Sequence, residues 1–234
     1  MSQSDQLAQN SAPARHAWLR WFFAAAAGLF AFTAITWLML TSAELNQLDR
    51  DWAHACKDHA DGHESFALLM RRYLTNLGGT VCLVIVGTAG ICLMLRNHRV
   101  LALTWLIAVA GGELLNLGVK TIIDRPRPEP ELRDPGLHVY HDSFPSGHAM
   151  ASTTGYGMWL YAAFLFISSR RKKLAFTVAT IFLVGSIGFS RIYLRAHWFS
   201  DILGGYALGF AWLMLSIGFG RWLAERGTRR DNLP

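Results

Sequence analysis

Charge is scarce in this chain. Asp, Glu, Lys and Arg make up 16% of its residues, against roughly 25% in an average soluble protein. The deficit is concentrated in long uncharged runs, which point to membrane spans rather than to a soluble domain. Cysteine is rare as well. There are three, an odd number, with Cys82 and Cys92 inside one apolar run and only Cys56 in a polar segment; that distribution argues against a disulfide framework. Neither an H-E-x-x-H nor a paired C-x-x-C sequence occurs, so no familiar metal motif is present. Internal repeats and low-complexity tracts are also missing.

What the chain has is hydrophobicity, at 52% of its residues. Six segments, approximately 21–40, 77–95, 100–119, 147–168, 174–191 and 201–220, are apolar enough to cross a bilayer, which takes about 20 residues each. The expected fold is all-α, a polytopic membrane bundle of six transmembrane helices. The first run is longer than the core of a signal peptide and reads as an uncleaved span, although Thr41-Ser42-Ala43 resembles a cleavage site. The polar residues 1–20 read as a disordered tail, 21–223 as the membrane domain and 224–234 as a basic tail.

The formal charge of +6 could suggest nucleic acid. The basic residues, however, cluster at the ends of apolar runs, as they do at an anionic membrane surface, so membrane lipids and not nucleic acid are the expected partners. With six spans, one side carries Arg15, Arg20, Arg96, Arg99, the Arg170-Arg171-Lys172-Lys173 block, Arg221, Arg226, Arg229 and Arg230. The opposite side carries most of the carboxylates, among them Asp49, Asp51, Asp58, Asp124, Glu129 and Asp134. The excess of Lys and Arg makes the first side, with both termini, cytoplasmic. In the first outer connection, Leu45, Leu48, Trp52 and Cys56 recur at helical spacing, as do Phe66, Leu69, Met70, Tyr73 and Leu74. These are short amphipathic helices, either on the membrane surface or packed on the bundle.

The chemistry-bearing residues fall in the second and third outer connections. Lys120, Arg125 and Arg127 lie at the end of span three among Pro126 and Pro128. A stiff turn bearing guanidinium groups suits an oxyanion clamp, though basic residues at a span end also serve as anchors. Ser143-Phe144-Pro145-Ser146-Gly147-His148 precedes span four. A helix start of this kind offers free N–H groups to an anion, with His148 beside it, or is simply a capped helix. Ser190, Arg191, His197 and Asp201 bridge spans five and six. His197 and Asp201 are neighbours on a helix, an arrangement that suits a nucleophilic histidine or plain capping. All three groups lie on one expected face of the membrane, and that coincidence favours the chemical reading of each.

Taken in order, the three groups resemble the type-2 phosphatidic acid phosphatase and haloperoxidase superfamily. Its pattern of K-x6-R-P, P-S-G-H and S-R-x5-H-x3-D is matched by Lys120 with Arg127-Pro128, by Pro145 to His148, and by Ser190-Arg191, His197 and Asp201. The resemblance implies a lipid phosphatase without cofactor or metal. Lys120, Arg127 and Arg191 would hold the phosphate oxygens, helped by Ser146 and the Gly147 amide. His197 would attack phosphorus, Asp201 would orient its ring, and His148 would protonate the leaving oxygen and then activate water. Three cations would supply the charge that a metal supplies elsewhere. Arg125 also precedes a proline but is two residues short of the pattern, which makes it a support behind the clamp or a headgroup contact. Glu113 and Asn116, inside span three, are expected to face the bundle, with Glu113 supporting Lys120 or the neighbouring spans.

A lipid phosphate entering sideways from the outer leaflet is the expected substrate. Candidates are phosphatidic acid, phosphatidylglycerophosphate, undecaprenyl pyrophosphate and a lipid A phosphate, in a bacterial inner membrane with the site on its outer face. The motifs read only the phosphate and carry nothing on oligomeric state. A transporter or non-catalytic scaffold with a basic outer mouth is the rival reading, which phosphate release by the purified protein would separate from the first.

Overall fold

The computed structural model describes residues 18–137 and 142–230, with side chains to 227. The expected disorder of 1–20 therefore falls largely outside the described residues, whereas the expected basic tail 224–234 is described to 230 and continues the last helix. Every regular element described is helical. In chain order these are α1 (Leu19–Thr41), α2 (Ala43–Gly62), α3 (Glu64–Leu69), a π turn (Met70–Leu74), α4 (Thr75–Leu77) and α5 (Thr80–Leu95). There follow α6 (Arg99–Leu106), a second π turn (Ile107–Gly111), α7 (Gly112–Ile123), α8 (Gly147–Phe166), α9 (Arg170–Tyr193) and α10 (Phe199–Arg230).

Five stretches are long and apolar enough to cross a membrane: Leu19–Thr41, Glu64–Leu95, Arg99–Ile123, Arg170–Tyr193 and Phe199–Gly227. This is an integral membrane protein, but the count is one short of the expected six. The missing one is α8, which is helical over 20 residues yet carries Ser152, Thr153, Thr154, Gly155 and Gly157 in its middle. Its position explains that composition. Helix α8 packs on α10, α9, α5 and α7, and Ala149, Met150, Ser152, Thr154 and Met158 are buried. A helix enclosed by other helices has no need of the lipid-facing hydrophobicity that marks a span in sequence. The outer helices show the complementary pattern. Phe23, Phe30, Val81, Ile122 and Phe182 are each at least 75% exposed, which fits side chains that face lipid.

Of the two amphipathic helices expected in the first connection, the first packs on the bundle. The second, from Phe66 to Leu74, is instead the start of the membrane-spanning stretch Glu64–Leu95, with Phe66, Leu69 and Tyr73 exposed. Ser42 caps α2 by accepting from the Leu45 N–H at 3.1 Å. The face formed by Asp49, Ala53, Cys56 and Ala60 is buried against α9 and α10. Cys56 and Ala60 join Met70, Ile192, Leu194 and Ile202 in one apolar cluster, so α2 is a lid over the bundle end where the conspicuous polar residues lie.

Helix α10 reaches that end by close contact with α8. A side chain added at Gly205 would lie 2.7 Å from the Ser146 carbonyl oxygen and 2.8 Å from Ala149 Cβ. The lack of a Cβ there lets the two backbones approach, and the Ser146 N–H donates to the Asp201 carbonyl at 3.0 Å. Gly205→Ala should therefore push the helices apart and destabilise the protein by about 1–3 kcal/mol. Gly118→Ala, whose Cβ would meet nothing within 4 Å, serves as the control. Thermal unfolding in detergent reads both; equal midpoints would refute the close-contact argument.

Candidate active site

Four helix ends converge beneath α2: the last turn of α7, the first of α8, the last of α9 and the first of α10. Helix α7 stops at Asp124, whose left-handed backbone (φ 49°) lets its N–H donate to the Lys120 carbonyl at 3.0 Å and turns the chain into Arg125–Pro128. That segment is tied to the approach to α8 by the Ser143 N–H, which donates to the Arg125 carbonyl at 2.8 Å. The α9–α10 turn bends at Arg195, also left-handed (φ 52°). The Arg195 guanidinium holds the turn by donating to the carbonyls of Leu132 at 2.7 Å and Tyr193 at 2.8 Å.

Asp201 is the hub. Its carboxylate is fully buried and accepts from Arg125 Nη1 at 2.6 Å, from the Trp198 N–H at 2.9 Å and from the Ser143 hydroxyl. Its Oδ2 also lies 3.3 Å from His197 Nδ1. Arg125 in turn spans two carboxylates, donating through Nη2 to Asp49 at 2.7 Å. Asp49 accepts from the Ser200 N–H at 2.9 Å and from its hydroxyl at 2.6 Å. A buried carboxylate is stable only when its charge and lone pairs are met, and this lattice meets both.

Around that hub stand the cations. Lys120, 7% exposed, donates to the carbonyls of Asp142 at 2.7 Å and Ser143 at 3.2 Å. Arg127 donates to the Ala196 carbonyl at 2.5 Å and lies 3.1 Å from His197 Nε2. Arg191, 6% exposed, is anchored by its bond to Thr75 Oγ1 at 2.6 Å. The Nδ1 contact with Asp201 assigns the ring proton to Nδ1 and leaves the Nε2 lone pair facing the cations. Burial first, then the charges of Arg127, Arg191 and Lys120, hold the His197 imidazole well below the ordinary histidine pKa. It is thus neutral at neutral pH. His148 is within electrostatic reach of the same three cations.

Two buried polar atoms of this region, Ser146 Oγ and Arg191 Nε, have no hydrogen-bond partner among the described residues. Both belong to groups that donate to anions. Among the described residues no cluster of three or more His, Cys, Asp or Glu could hold a metal; what faces the site is a set of cations suited to an oxyanion.

The residues expected from the motifs, Lys120, Arg127, Ser146, Gly147, His148, Arg191, His197 and Asp201, all lie at this bundle end. Arg125 stands behind the clamp, bonded to Asp201. Ser190 turns away and donates to the Ile187 carbonyl of its own helix at 2.6 Å. Glu113 requires a correction: it is exposed, whereas Asn116 is buried. Helical geometry puts Glu113 about 60° round from Asn116, at the margin of the buried face. Lys120 is covered by the 142–143 loop, but no such cover reaches Glu113. Sequence reasoning missed Asp49, Ser143 and Thr75, the partners that fix Arg125, Asp201 and Arg191. The one available signal was Asp49 on the apolar face of its helix, seven residues before Cys56.

The fold and the site define a membrane helix bundle with a buried cluster of cations and histidines at one end. The profile of the PAP2 superfamily matches residues 99–224, and the chain belongs to that family. It is 35% identical over 119 residues to phosphatidylglycerophosphatase B of Bacillus subtilis (strain 168), a match covering 50% of this chain and 57% of the relative. It is 37% identical over 123 residues to the lipid A 1-phosphatase of Rhizobium johnstonii, covering 48% and 45% respectively. The matches thus span about half the length of these relatives. The crystal structure of a transmembrane PAP2-type phosphatidylglycerolphosphate phosphatase from Bacillus subtilis superposes with a TM-score of 0.73 at 24% identity, covering 85% of this chain and 96% of that one, and supports the fold.

The histidine carries a pH consequence. The unfolded chain takes up a proton at His197 near pH 6.5, while the folded protein resists it. Stability supplied by the neutral ring is therefore present above about pH 6.5 and lost as pH falls below it. His197→Asn should remove that part of the acid sensitivity, measured as unfolding midpoint against pH; an unchanged slope would contradict it. Asp49→Asn removes one of the two charges holding Arg125. It should lower thermal stability by about 3 kcal/mol or more, unlike the exposed Asp51→Asn.

Proposed function

We propose that this protein is a lipid phosphatase working through a phosphohistidine, without a metal ion. The observation that carries the reading is the aim of His197. Its Nδ1 is held by Asp201 and its Nε2 points at the guanidinium of Arg127, where a bound phosphate would lie. Arg127 releases Nε2 as its N–H groups turn to phosphate oxygens. Bound phosphate offsets the charges of Lys120, Arg127 and Arg191 around His148 and lets it hold a proton. The Nε2 lone pair then attacks phosphorus, the bond to the leaving oxygen breaks, and protonated His148 gives that oxygen its proton and is left neutral. The proton on Nδ1 stays, and Asp201 balances the charge of the ring. Water then attacks the phosphohistidine, giving its proton to His148, and the P–N bond breaks to return the nucleophile and free phosphate.

Lys120, Arg127 and Arg191, with Ser146 Oγ and the Gly147 N–H at the start of α8, form the cradle for the three non-bridging oxygens. Such a cradle stabilises charge at the moment of transfer without reorganisation. The substrate is a phosphate monoester or pyrophosphate on a lipid: phosphatidic acid, phosphatidylglycerophosphate, undecaprenyl pyrophosphate or a lipid A phosphate. The two relatives, one a phosphatidylglycerophosphatase and the other a lipid A 1-phosphatase, support this range.

In this reading α8 is the sixth span, both termini are cytoplasmic, and the site opens at the outer leaflet of a bacterial inner membrane. The supporting observations are the enclosure of α8 by neighbouring helices and the Arg170–Lys173 block at the opposite bundle end. Glu113, on the exposed margin of α7, is within electrostatic reach of Lys120 and acts on the clamp only through that residue.

His197→Ala should lower phosphate release by about a thousandfold or more with membrane insertion intact, and EDTA should leave the wild-type rate unchanged. The measurement is phosphate release by detergent-purified protein across the four lipid classes. Retained turnover in His197→Ala removes the nucleophile assignment. A rate that collapses in EDTA and returns with Mg²⁺ removes the metal-free mechanism. Silence across the panel from folded protein favours a transporter or scaffold.

A further inference from the structure

The bundle end opposite the site carries its own concentration of cations. The turn between α5 and α6 presents Arg96, His98 and Arg99, and α10 presents Arg221, around a cavity of about 700 Å³. No carboxylate lines it. Among the described residues, none of Arg96, Arg99 and Arg221 forms an ion pair. This cavity shares Tyr161, Leu165 and Ile217 with a second one, an apolar cleft of about 770 Å³ between α8, α9 and α10. Leu160, Phe164, Ile181, Val184, Phe210 and Met214 are among its walls, and Arg20 lies at its edge.

The dimensions fit a lipid. Helix α10 lines the cleft from Tyr206 to Ile217, about 16 Å at 1.5 Å per residue, close to half of the roughly 30 Å hydrocarbon core. The cleft runs from the cationic end past the middle of the bundle: its far walls, Thr153 and Tyr206, lie six residues into α8 and seven into α10 counted from the active-site end. A side chain added at Gly185, which lines the cleft, would meet nothing within 4 Å, so the groove is open to an acyl chain.

We propose that this end of the bundle is a binding site for an anionic glycerophospholipid of the leaflet facing away from the active site. The headgroup phosphate sits among Arg96, Arg99 and Arg221, where guanidinium forks meet its oxygens, and an acyl chain occupies the cleft. Inorganic phosphate would leave the apolar half unused. A zwitterionic lipid would bring a cation of its own into a cavity already ringed by cations. The site is separate from the phosphate-transfer machinery, and an intact reaction at the other end is compatible with losing it.

The test uses phosphatidylserine, whose phosphodiester has no terminal phosphate to release, against phosphatidylcholine with matched acyl chains. Native mass spectrometry of the detergent-purified full chain reads lipid retention, with phosphate release as the check on folding. Wild type should retain phosphatidylserine over phosphatidylcholine, and Arg99→Gln/Arg221→Gln should lower that preference about thirtyfold. Gly185→Phe, which fills the cleft, should weaken retention of both lipids at unchanged activity. Lys120→Ala, at the other end, should retain phosphatidylserine as wild type does. Equal retention of the two lipids overturns the proposal. Loss of phosphatidylserine in Lys120→Ala assigns the lipid to the active site and also overturns it. Wild-type retention in Gly185→Phe, or ready displacement by inorganic phosphate, removes the acyl-chain half and with it the lipid.

Discussion

The ion pair between Arg125 and Asp201 is the constraint on which the rest of the site depends. Asp201 is fully buried, and a carboxylate in that position requires a cation within bonding distance. Arg125 supplies it from 76 residues away in the chain, and a second buried carboxylate, Asp49, holds Arg125 in place from α2. Three separate segments are thereby locked together at one point. Because Asp201 also takes the Ser143 hydroxyl and faces His197 Nδ1, the approach to α8 and the α9–α10 turn are registered on it as well.

The charge balance follows from the same lattice. Lys120, Arg125, Arg127 and Arg191 set four positive charges against the carboxylates of Asp49, Asp201 and the half-buried Asp142, with His197 neutral. The excess is positive, of the sign that complements the charge of about −1.5 to −2 on a phosphate monoester near pH 7. Lys120 and Arg127 bond to backbone carbonyls and Arg191 to a threonine hydroxyl. Such partners fix direction without cancelling charge, as a preorganised anion site requires.

The fold was legible in part, and the pattern of success has a physical cause. Outer helices that face lipid announce themselves by uninterrupted hydrophobicity, and most of their ends were readable to within a few residues. The second stretch begins 13 residues before the expected 77, at Glu64, and the last runs on past 220 to Gly227. Helix α8 lies among other helices, and its Ser, Thr and Gly content leaves it outside the five long apolar stretches, although 147–168 reads as a span and its start at Gly147 is marked by the Pro-Ser-Gly-His sequence. The gathering of Lys120, Arg127, His148, Arg191, His197 and Asp201 at one bundle end was readable because they sit in short spaced motifs. Their supports were not: Asp49, Thr75 and Ser143 act on partners between 58 and 116 residues distant, a relation no local pattern carries. Glu113 shows the reverse error. A carboxylate in a span suggests a place inside the bundle, but the helix surface turns by about 100° per residue, and only the 142–143 loop makes the difference between the buried Lys120 and the exposed Glu113.

Both ends of the bundle are rich in cations, and burial separates what they do. At the site, Lys120 and Arg191 are almost entirely shielded from solvent and oriented by partners. An anion that enters loses water and meets fixed donors, which strengthens each contact and suits bond-breaking. At the other end Arg96 and Arg99 are exposed, so water and salt screen them and their hold on a phosphate is weaker. Retention there has to draw on apolar contact, and the cleft beside it supplies that surface. A water-screened phosphate beside a tail groove, with no nucleophile at hand, is held rather than transformed. On the readings proposed above, the same ligand chemistry has different fates at the two ends of one bundle, decided by how far each set of cations is removed from water.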